Sequence, residues 1–411
     1  MREMKDSGIE WIGAIPTTWH TQKMKYISNF IQNKYSSDYG LLPYIGLENI
    51  ASWSGSFIST NSQYDREQSL ICEPEDILFG KLRPYLAKVY MNDRLCCCSN
   101  EFAVIRVNGQ NKRYMWYQLL SHGFIFEIDR STYGTKMPRA NAEFIRNVFV
   151  ALPSEIEQQK IANYLDKMCA EIDAVLEKTR ASIEEYKKLK QAVITQTVTK
   201  GIRGDRPMKN SGIEWIGEIP AEWGVVPHKR IMHKVKEICE RYNGEDIISL
   251  TVNGVVKRDL TAGGKMPTSF DGYQYVEPND LLLCLFDIDV TPRCVGVVRD
   301  YGVTSPAYSR FVMHDGYYNA YYDYLLRMID DNKVFVHLSK NLRSSLTESD
   351  FGAIKTCAPP LAEQKCIAAF LDVRCDEIDA LIAKKQQYLT EIENYKKSLI
   401  YEYVTGKKEV V

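Results

Sequence analysis

Residues 4–19 read MKDSGIEWIGAIPTTW and residues 208–223 read MKNSGIEWIGEIPAEW, identical at twelve of sixteen positions at an offset of 204. No other feature constrains the chain so strongly, because a sequence with a long internal period must build the same unit twice. A second match lies downstream: EQQKIANYLDKMCAEIDAVL (157–176) recurs as EQKCIAAFLDVRCDEIDALI (363–382). Its offset is 206 and it holds without a gap to Val198-Thr199 and Val404-Thr405. The 411 residues therefore form two units of about 205 residues, each with a short lead-in, a variable globular region and a long helix.

The variable regions share faint landmarks. Glu75-Asp76-Ile77-Leu78 recurs as Asn279-Asp280-Leu281-Leu282, and Glu143-Phe144 as Asp350-Phe351. Copies with similar ends and divergent middles suggest one frame presenting two different surfaces. The expected division is 1–19 (N-terminal segment), 20–152 (first globular domain), 153–201 (central helix), 202–223 (linker and repeated segment), 224–358 (second globular domain) and 359–411 (C-terminal helix). Net charge is −1, so any positive surface must be local. Residues 20–152 carry 15 Lys and Arg against 12 Asp and Glu, whereas 224–358 carry 16 against 17.

Neither Gly nor Pro interrupts 154–200 or 361–405, and both residues are costly inside a helix. Ser154 and Glu157 match a capping box, of which the second copy keeps only Glu363. Apolar side chains recur at spacings of about four and three. In the first helix they are Ile161, Leu165, Met168, Ile172, Val175, Tyr186, Leu189 and Val193. In the second they are Ile367, Leu371, Ile378, Leu381, Tyr388, Ile392, Tyr395 and Leu399. Such a stripe is a coiled-coil seam, with Thr179 and Lys385 as polar interruptions. The expected architecture is α/β: two globular domains with twisted sheets, joined by two long helices in an antiparallel coiled coil with pseudo-twofold symmetry. Residues 4–19 would pack on the end of the second helix, making the chain quasi-cyclic. Strands are expected over 76–79, 102–107, 280–286 and 294–298, and short helices over 114–121 and 321–328.

The sequence lacks the usual marks of catalysis. No phosphate-cradling glycine precedes Gly80-Lys81 or Gly264-Lys265 at P-loop spacing. Ala358-Pro359-Pro360-Leu361 lacks both the polar and the aromatic end of an adenine-methylating loop. The six His are scattered, and the eleven Cys include no C-x-x-C pair. Reduced, mostly buried thiols, no signal peptide and no run of about 20 apolar residues make a cytoplasmic protein without a membrane span the expectation.

The combination SGIEWIG-x-IP-x-x-W, a variable domain, LP-x-x-x-EQ-x-x-IA-x-x-LD and a helix ending in VTKG resembles the DNA-specificity subunits of type I restriction–modification enzymes. That resemblance covers essentially the whole chain. It implies two target-recognition domains reading a bipartite, asymmetric duplex sequence, and spacer helices that dock two methyltransferase subunits and, through the complex, restriction subunits. It also implies no catalysis and no cofactor in this chain, with S-adenosylmethionine, ATP and Mg held by partners. FGKLRPYLAK (79–88) and GTKMPRAN (134–141) are further family-like pieces, from which the second copy departs. Arg suits guanine, Asn adenine and Lys phosphate or guanine. The candidate DNA contacts are thus Lys81, Arg83, Lys136, Arg139 and Asn141 in the first domain, and Arg293, Lys340, Asn341 and Arg343 in the second. A structural role for Arg83, at a strand turn, remains open. So do two other readings of the chain: a self-sufficient DNA-modifying enzyme with an unrecognised site, and a coiled-coil adaptor that binds proteins.

Overall fold

The computed structural model describes residues 2–60, 68–134, 136–261, 267–291, 293–339 and 344–410. The chain forms two compact units, one made of Met1–Arg180 with Gln386–Val411 and the other of Ala181–Lys385. Unit 1 is discontinuous in sequence and unit 2 is continuous.

In unit 1 the elements that matter are β1 (His20–Lys23), β2 (Ser28–Ile31), β3 (Ile77–Gly80), β4 (Val89–Met91), β5 (Phe102–Val107), α1 (Lys112–Leu120), α2 (His122–Arg130), α3 (Ala142–Asn147) and β6 (Phe149–Leu152). The long helix α4 (Glu155–Lys200) follows. Unit 2 contains β7 (Gly224–Pro227), β8 (Met232–Val235), β9 (Leu281–Leu283), β10 (Val295–Val297), β11 (Ser309–Met313), α5 (Asn319–Asp331), α6 (Val334–Leu338), α7 (Glu348–Ala353) and β12 (Lys355–Ala358). The second long helix is α8 (Leu361–Val404).

Each unit carries an antiparallel four-stranded sheet with the same topology, β2-β5-β3-β4 in one and β8-β11-β9-β10 in the other. The strand from Phe102 to Val107 has the expected bounds, whereas β9 and β10 are shorter than the apolar runs around them. The chain leaves β9 for a left-handed turn at Asp287 (φ 45°), which ends ladder pairing before the apolar residues run out. The two units also pair their outer strands alike, β1 with β6 and β7 with β12.

The lead-in segments are hairpins with matching registers, Met4 opposite Pro16 and Met208 opposite Pro220. Each delivers a Trp to the core, and Trp19 and Trp223 are 1% and 0% exposed. A buried indole needs a partner for its N–H, and the helix start supplies it. Trp19 donates to Glu157 at 3.0 Å and Trp223 to Glu363 at 2.8 Å. Arg2 and Arg206 donate to the same two carboxylates. This revises the capping box. Ser154 does accept from the Glu157 N–H, but the Glu157 carboxylate is taken by Trp19 and Arg2 instead of returning to the helix.

Within each unit the long helices lie antiparallel. In unit 1, Tyr164 meets Tyr403, Asp173 meets Lys396 and Arg180 meets Glu393, so one number falls as the other rises. In unit 2, Tyr186 meets Lys385 and Lys190 meets Asp379. Lys396–Asp173 and Lys190–Asp379 are one ion pair seen twice, since both members move by 206 residues.

The apolar seam needs a correction. Ile161, Leu165, Ile172, Ile367, Leu371, Ile378 and Leu399 are buried, and Met168, Tyr186, Val193 and Ile392 are partly so. Val175, Leu189, Leu381, Tyr388 and Tyr395 are 40–51% exposed. The inward stripe passes one residue later, through Cys169, Leu176, Thr179, Ile183 and Lys190 in α4. It runs through Cys375, Ile382, Lys385, Leu389 and Lys396 in α8. These positions keep the alternating spacing of four and three that a supercoiled seam requires, and they match at 206 throughout.

The second helix's end also closes unit 1. Tyr114, fully buried on α1, donates to Val404 O at 3.0 Å, and Tyr401 donates to Trp11 O at 2.9 Å. Gly406 has φ 73°, and a Cβ there would lie 2.4 Å from Pro16, so only glycine lets the lead-in pack so closely. Unit 2 is closed in the same way by the end of α4, where Tyr321 donates to Val198 O at 2.8 Å.

Candidate nucleic-acid interface

In unit 1 the chain leaves β3 as Lys81-Leu82-Arg83 and is met by residues 133–141 returning toward α3. Ala140 N–H donates to Lys81 O, Arg83 N–H donates to Pro138 O, and Leu82 and Tyr133 both bridge Arg139. The two family-like pieces thus come together through their backbones, carrying Lys81, Arg83, Lys136 and Arg139 to one edge. Exposed Tyr85, Tyr133 and Met137 stand among them.

The side chains are not equivalent. Lys136 is exposed at the turn. Arg83 is left-handed (φ 49°) and opens a helical turn at Pro84–Leu86. That backbone is sparsely populated by non-glycine residues, so this arginine shapes the turn as well as charging it. Arg139 pairs with Glu101. Lys81 is half-buried, and burial pulls its ammonium below the usual lysine value, with Glu101 opposing and Arg139 reinforcing the shift. Asn141 is the N-cap of α3, its Oδ1 accepting from Glu143 N–H at 2.8 Å. Capping engages one of the two lone pairs of that oxygen, which gives Asn141 a structural role beside its candidate base contact.

Unit 2 repeats the backbone and changes the side chains. Leu346 N–H donates to Leu285 O and Ile288 N–H to Ser344 O, while Thr347 caps α7 where Asn141 caps α3. Leu285 stands at the Lys81 position and left-handed Asp287 two residues on, but the N–H that bonds the returning loop has moved one residue later, from Arg83 to Ile288. Arg293 is half-buried: its Nε donates to Val295 O at 2.8 Å, and Gly254 packs under its guanidinium. Burial lowers its pKa, and Arg327 adds to the effect. That bond and packing hold Arg293 against β10, a structural role beside its candidate contact. Lys340, Asn341 and Arg343 lie outside the described residues, as does Gly264-Lys265.

Sequence reasoning missed Glu101, which lies far in sequence from both cations and just before a strand. It also missed the ion pairs that tie the inner strands of each sheet, Arg106 with the buried Asp76 at 2.8 Å and Arg310 with Asp280 at 2.6 Å. Burial raises the Asp280 carboxyl pKa, with Arg310 opposing. Among the described residues no group of three or more His, Cys, Asp or Glu side chains could hold a metal ion, and no helix is long and apolar enough to cross a membrane.

Residues 16–185 match the family model described as the type I restriction modification DNA specificity domain. The chain is 25% identical to the type I restriction enzyme MjaVIII specificity subunit of Methanocaldococcus jannaschii, over 75% of this chain and 73% of that protein. It is 24% identical to the MjaX specificity subunit of the same organism, over 97% and 96%. In fold it is similar to a chain from a structural study of complex assembly and conformational transition of the type I R-M system. That likeness has TM-score 0.74 and 16% identity, covering 96% of this chain and 99% of the other. The HsdS subunit from Thermoanaerobacter tengcongensis is also similar, with TM-score 0.52 and 15% identity over 96% and 98%. With the duplicated frame and its paired helices, these matches support a specificity subunit of a type I restriction–modification system.

Proposed function

We propose that the chain reads a bipartite, asymmetric sequence in double-stranded DNA, one half-site per unit, through the globular regions 20–152 and 224–358. One observation carries this reading: two units keep the same sheet and the same loop pairing while the charged side chains on that loop pair differ. Two copies of a duplicated reader with identical loops would favour identical half-sites. Lys81, Arg83, Lys136 and Arg139 are the unit 1 contacts, with Asn141 a further candidate, and Arg293, Lys340, Asn341 and Arg343 remain candidates in unit 2.

The chain works in the cytoplasm without catalysis of its own. The lead-in hairpins and spacer helices occur twice, so one copy docks two methyltransferase subunits, which bring restriction subunits into the complex. S-adenosylmethionine, ATP and Mg belong to those partners. Methylome sequencing of cells expressing the full complex tests the reading, and a gapped motif with two unlike halves is expected. An ungapped or symmetric motif would overturn it. So would DNA methylation by this chain alone with S-adenosylmethionine, or native mass spectrometry showing saturation at one methyltransferase.

A further inference from the structure

The duplication offers a built-in control for separating frame from reader. Where both units keep a side chain and its contact, as with Tyr114 and Tyr321 or Trp19 and Trp223, the residue holds the frame. Where both units keep the backbone contact but not the side chain, the residue is free to define what that unit recognises. Lys81 meets the second condition, its carbonyl accepting from Ala140 N–H as Leu285 O accepts from Leu346 N–H, and in unit 1 two further charges gather on it. Lys81 N–H donates to Glu101 O at 2.8 Å, and the Arg139 guanidinium pairs with the Glu101 carboxylate. Strand registers place Phe102 opposite Gly80 and Ser309 opposite Leu283. Carried two residues along, they make Ala307 the counterpart of Glu101, beside Leu285 for Lys81 and Ser345 for Arg139. All three charges are absent from unit 2.

A lone surface arginine facing DNA is drawn to phosphate. A carboxylate fixed against the same guanidinium repels phosphate and holds the planar donor fork in one orientation, leaving its other N–H edge for a neutral acceptor pair such as guanine O6 and N7. The geometry suits such a buttress. The Glu101 side chain is 24% exposed and that of Arg139 46%. The other Glu101 oxygen is enclosed without a hydrogen-bond partner among the described residues. The acid thus sits behind the cation rather than competing for the ligand.

We propose that Glu101 is a positioning and specificity-determining residue, aiming Arg139 at a guanine edge within the half-site taken by unit 1 and away from the phosphate backbone. This rests on the reading of the chain as a DNA-recognition subunit. The test uses the full-length chain assembled with its methyltransferase subunits, selecting from a pool of random DNA duplexes, followed by sequencing and by salt titration on the selected site. The wild type should select a G at one position, and Glu101→Gln should lose about ten-fold preference there while unit 2's half-site stays unchanged. The freed arginine then engages phosphate, so the slope of log affinity against log salt steepens by about one. Glu101→Asp should recover part of the preference, and Arg139→Lys should relax the same position. Wild-type preferences at every position in Glu101→Gln, or a uniform loss of affinity with both half-sites intact, would overturn the proposal. So would relaxation of different positions by Glu101→Gln and Arg139→Lys. A wild-type complex that selects no sequence would instead overturn the underlying reading.

Discussion

Units 1 and 2 share their principal interior contacts and differ most at one rim. The Trp–Glu–Arg anchor, the Tyr that caps the opposite helix end, and the Lys–Asp pair between helices recur with the same partners. At the loop pair beyond β3 and β9 the backbone bonds persist while Lys, Glu and Arg give way to Leu, Ala and Ser. Interior contacts are many-bodied and tolerate little change in volume or polarity, whereas a rim residue answers only to its ligand. The loop pair is thus where the two units differ most freely in charge.

The sharpest way to break it is to remove the shared anchor from each unit in turn. Trp19→Ala and Trp223→Ala should each cost about 3–5 kcal/mol, through lost burial and a stranded Glu157 or Glu363. Hydrogen exchange should place each loss in its own unit. Equal damage to both units from either substitution would show that the anchors do not act separately.

A smaller effect separates the interiors themselves. His228 is fully buried against Phe351 at the position where unit 1 has Met24, and both backbone N–H groups make the same bond, to Ile354 O and Val148 O. Desolvation lowers the His228 pKa from 6.5 to about 3. The unfolded chain therefore binds a proton that the folded unit refuses. This contribution is intact above pH 6.5 and is lost as pH falls toward 3. From pH 6 to pH 5 unit 2 should lose about 1 kcal/mol from this group. Urea titrations across that range should show the loss flattened in His228→Met, and an unchanged pH slope would mean that other groups dominate.

The smallest effect compares the repeated ion pair. The Lys396 side chain is 9% exposed and that of Lys190 22%, while their aspartates are about half exposed. Asp173→Ala should cost roughly 1–2 kcal/mol because it leaves the more buried ammonium alone. Asp379→Ala should cost less than about 1 kcal/mol. The reverse order in chemical denaturation would mean that burial does not set the value of this pair.

The repeat, the long helices and the quasi-cyclic closure were all legible in the sequence, because a repeat appears when the chain is aligned with itself and missing helix breakers are a local property. The seam was readable only to within one residue. Val175-Leu176, Leu381-Ile382 and Tyr388-Leu389 are adjacent apolar pairs, so hydrophobicity cannot choose between them. The true stripe also runs through Lys190 and Lys396, whose ammonium groups pair with aspartates on the other helix. At the site, neighbouring cations were visible as Lys-x-Arg and Pro-Arg-Ala-Asn. The capping by Asn141 and the buttress from Glu101 depend on pairings that no local pattern announces.

The closure of unit 1 by the end of α8 has a consequence for biosynthesis. Tyr114 and its acceptor Val404 are separated by 290 residues, and Tyr401 and Trp11 by 390, whereas Tyr321 and Val198 in unit 2 are 123 apart. On the ribosome, all of unit 2 has emerged before the segment Gln386–Val411 that completes unit 1. The part translated first is therefore the last to become native, and its exposed apolar face must wait through the synthesis and folding of an entire inserted unit. A chain ending at Lys385 and released from the ribosome should display a protease-resistant second half behind a protease-sensitive first half, inverting the usual order in which translation protects a protein.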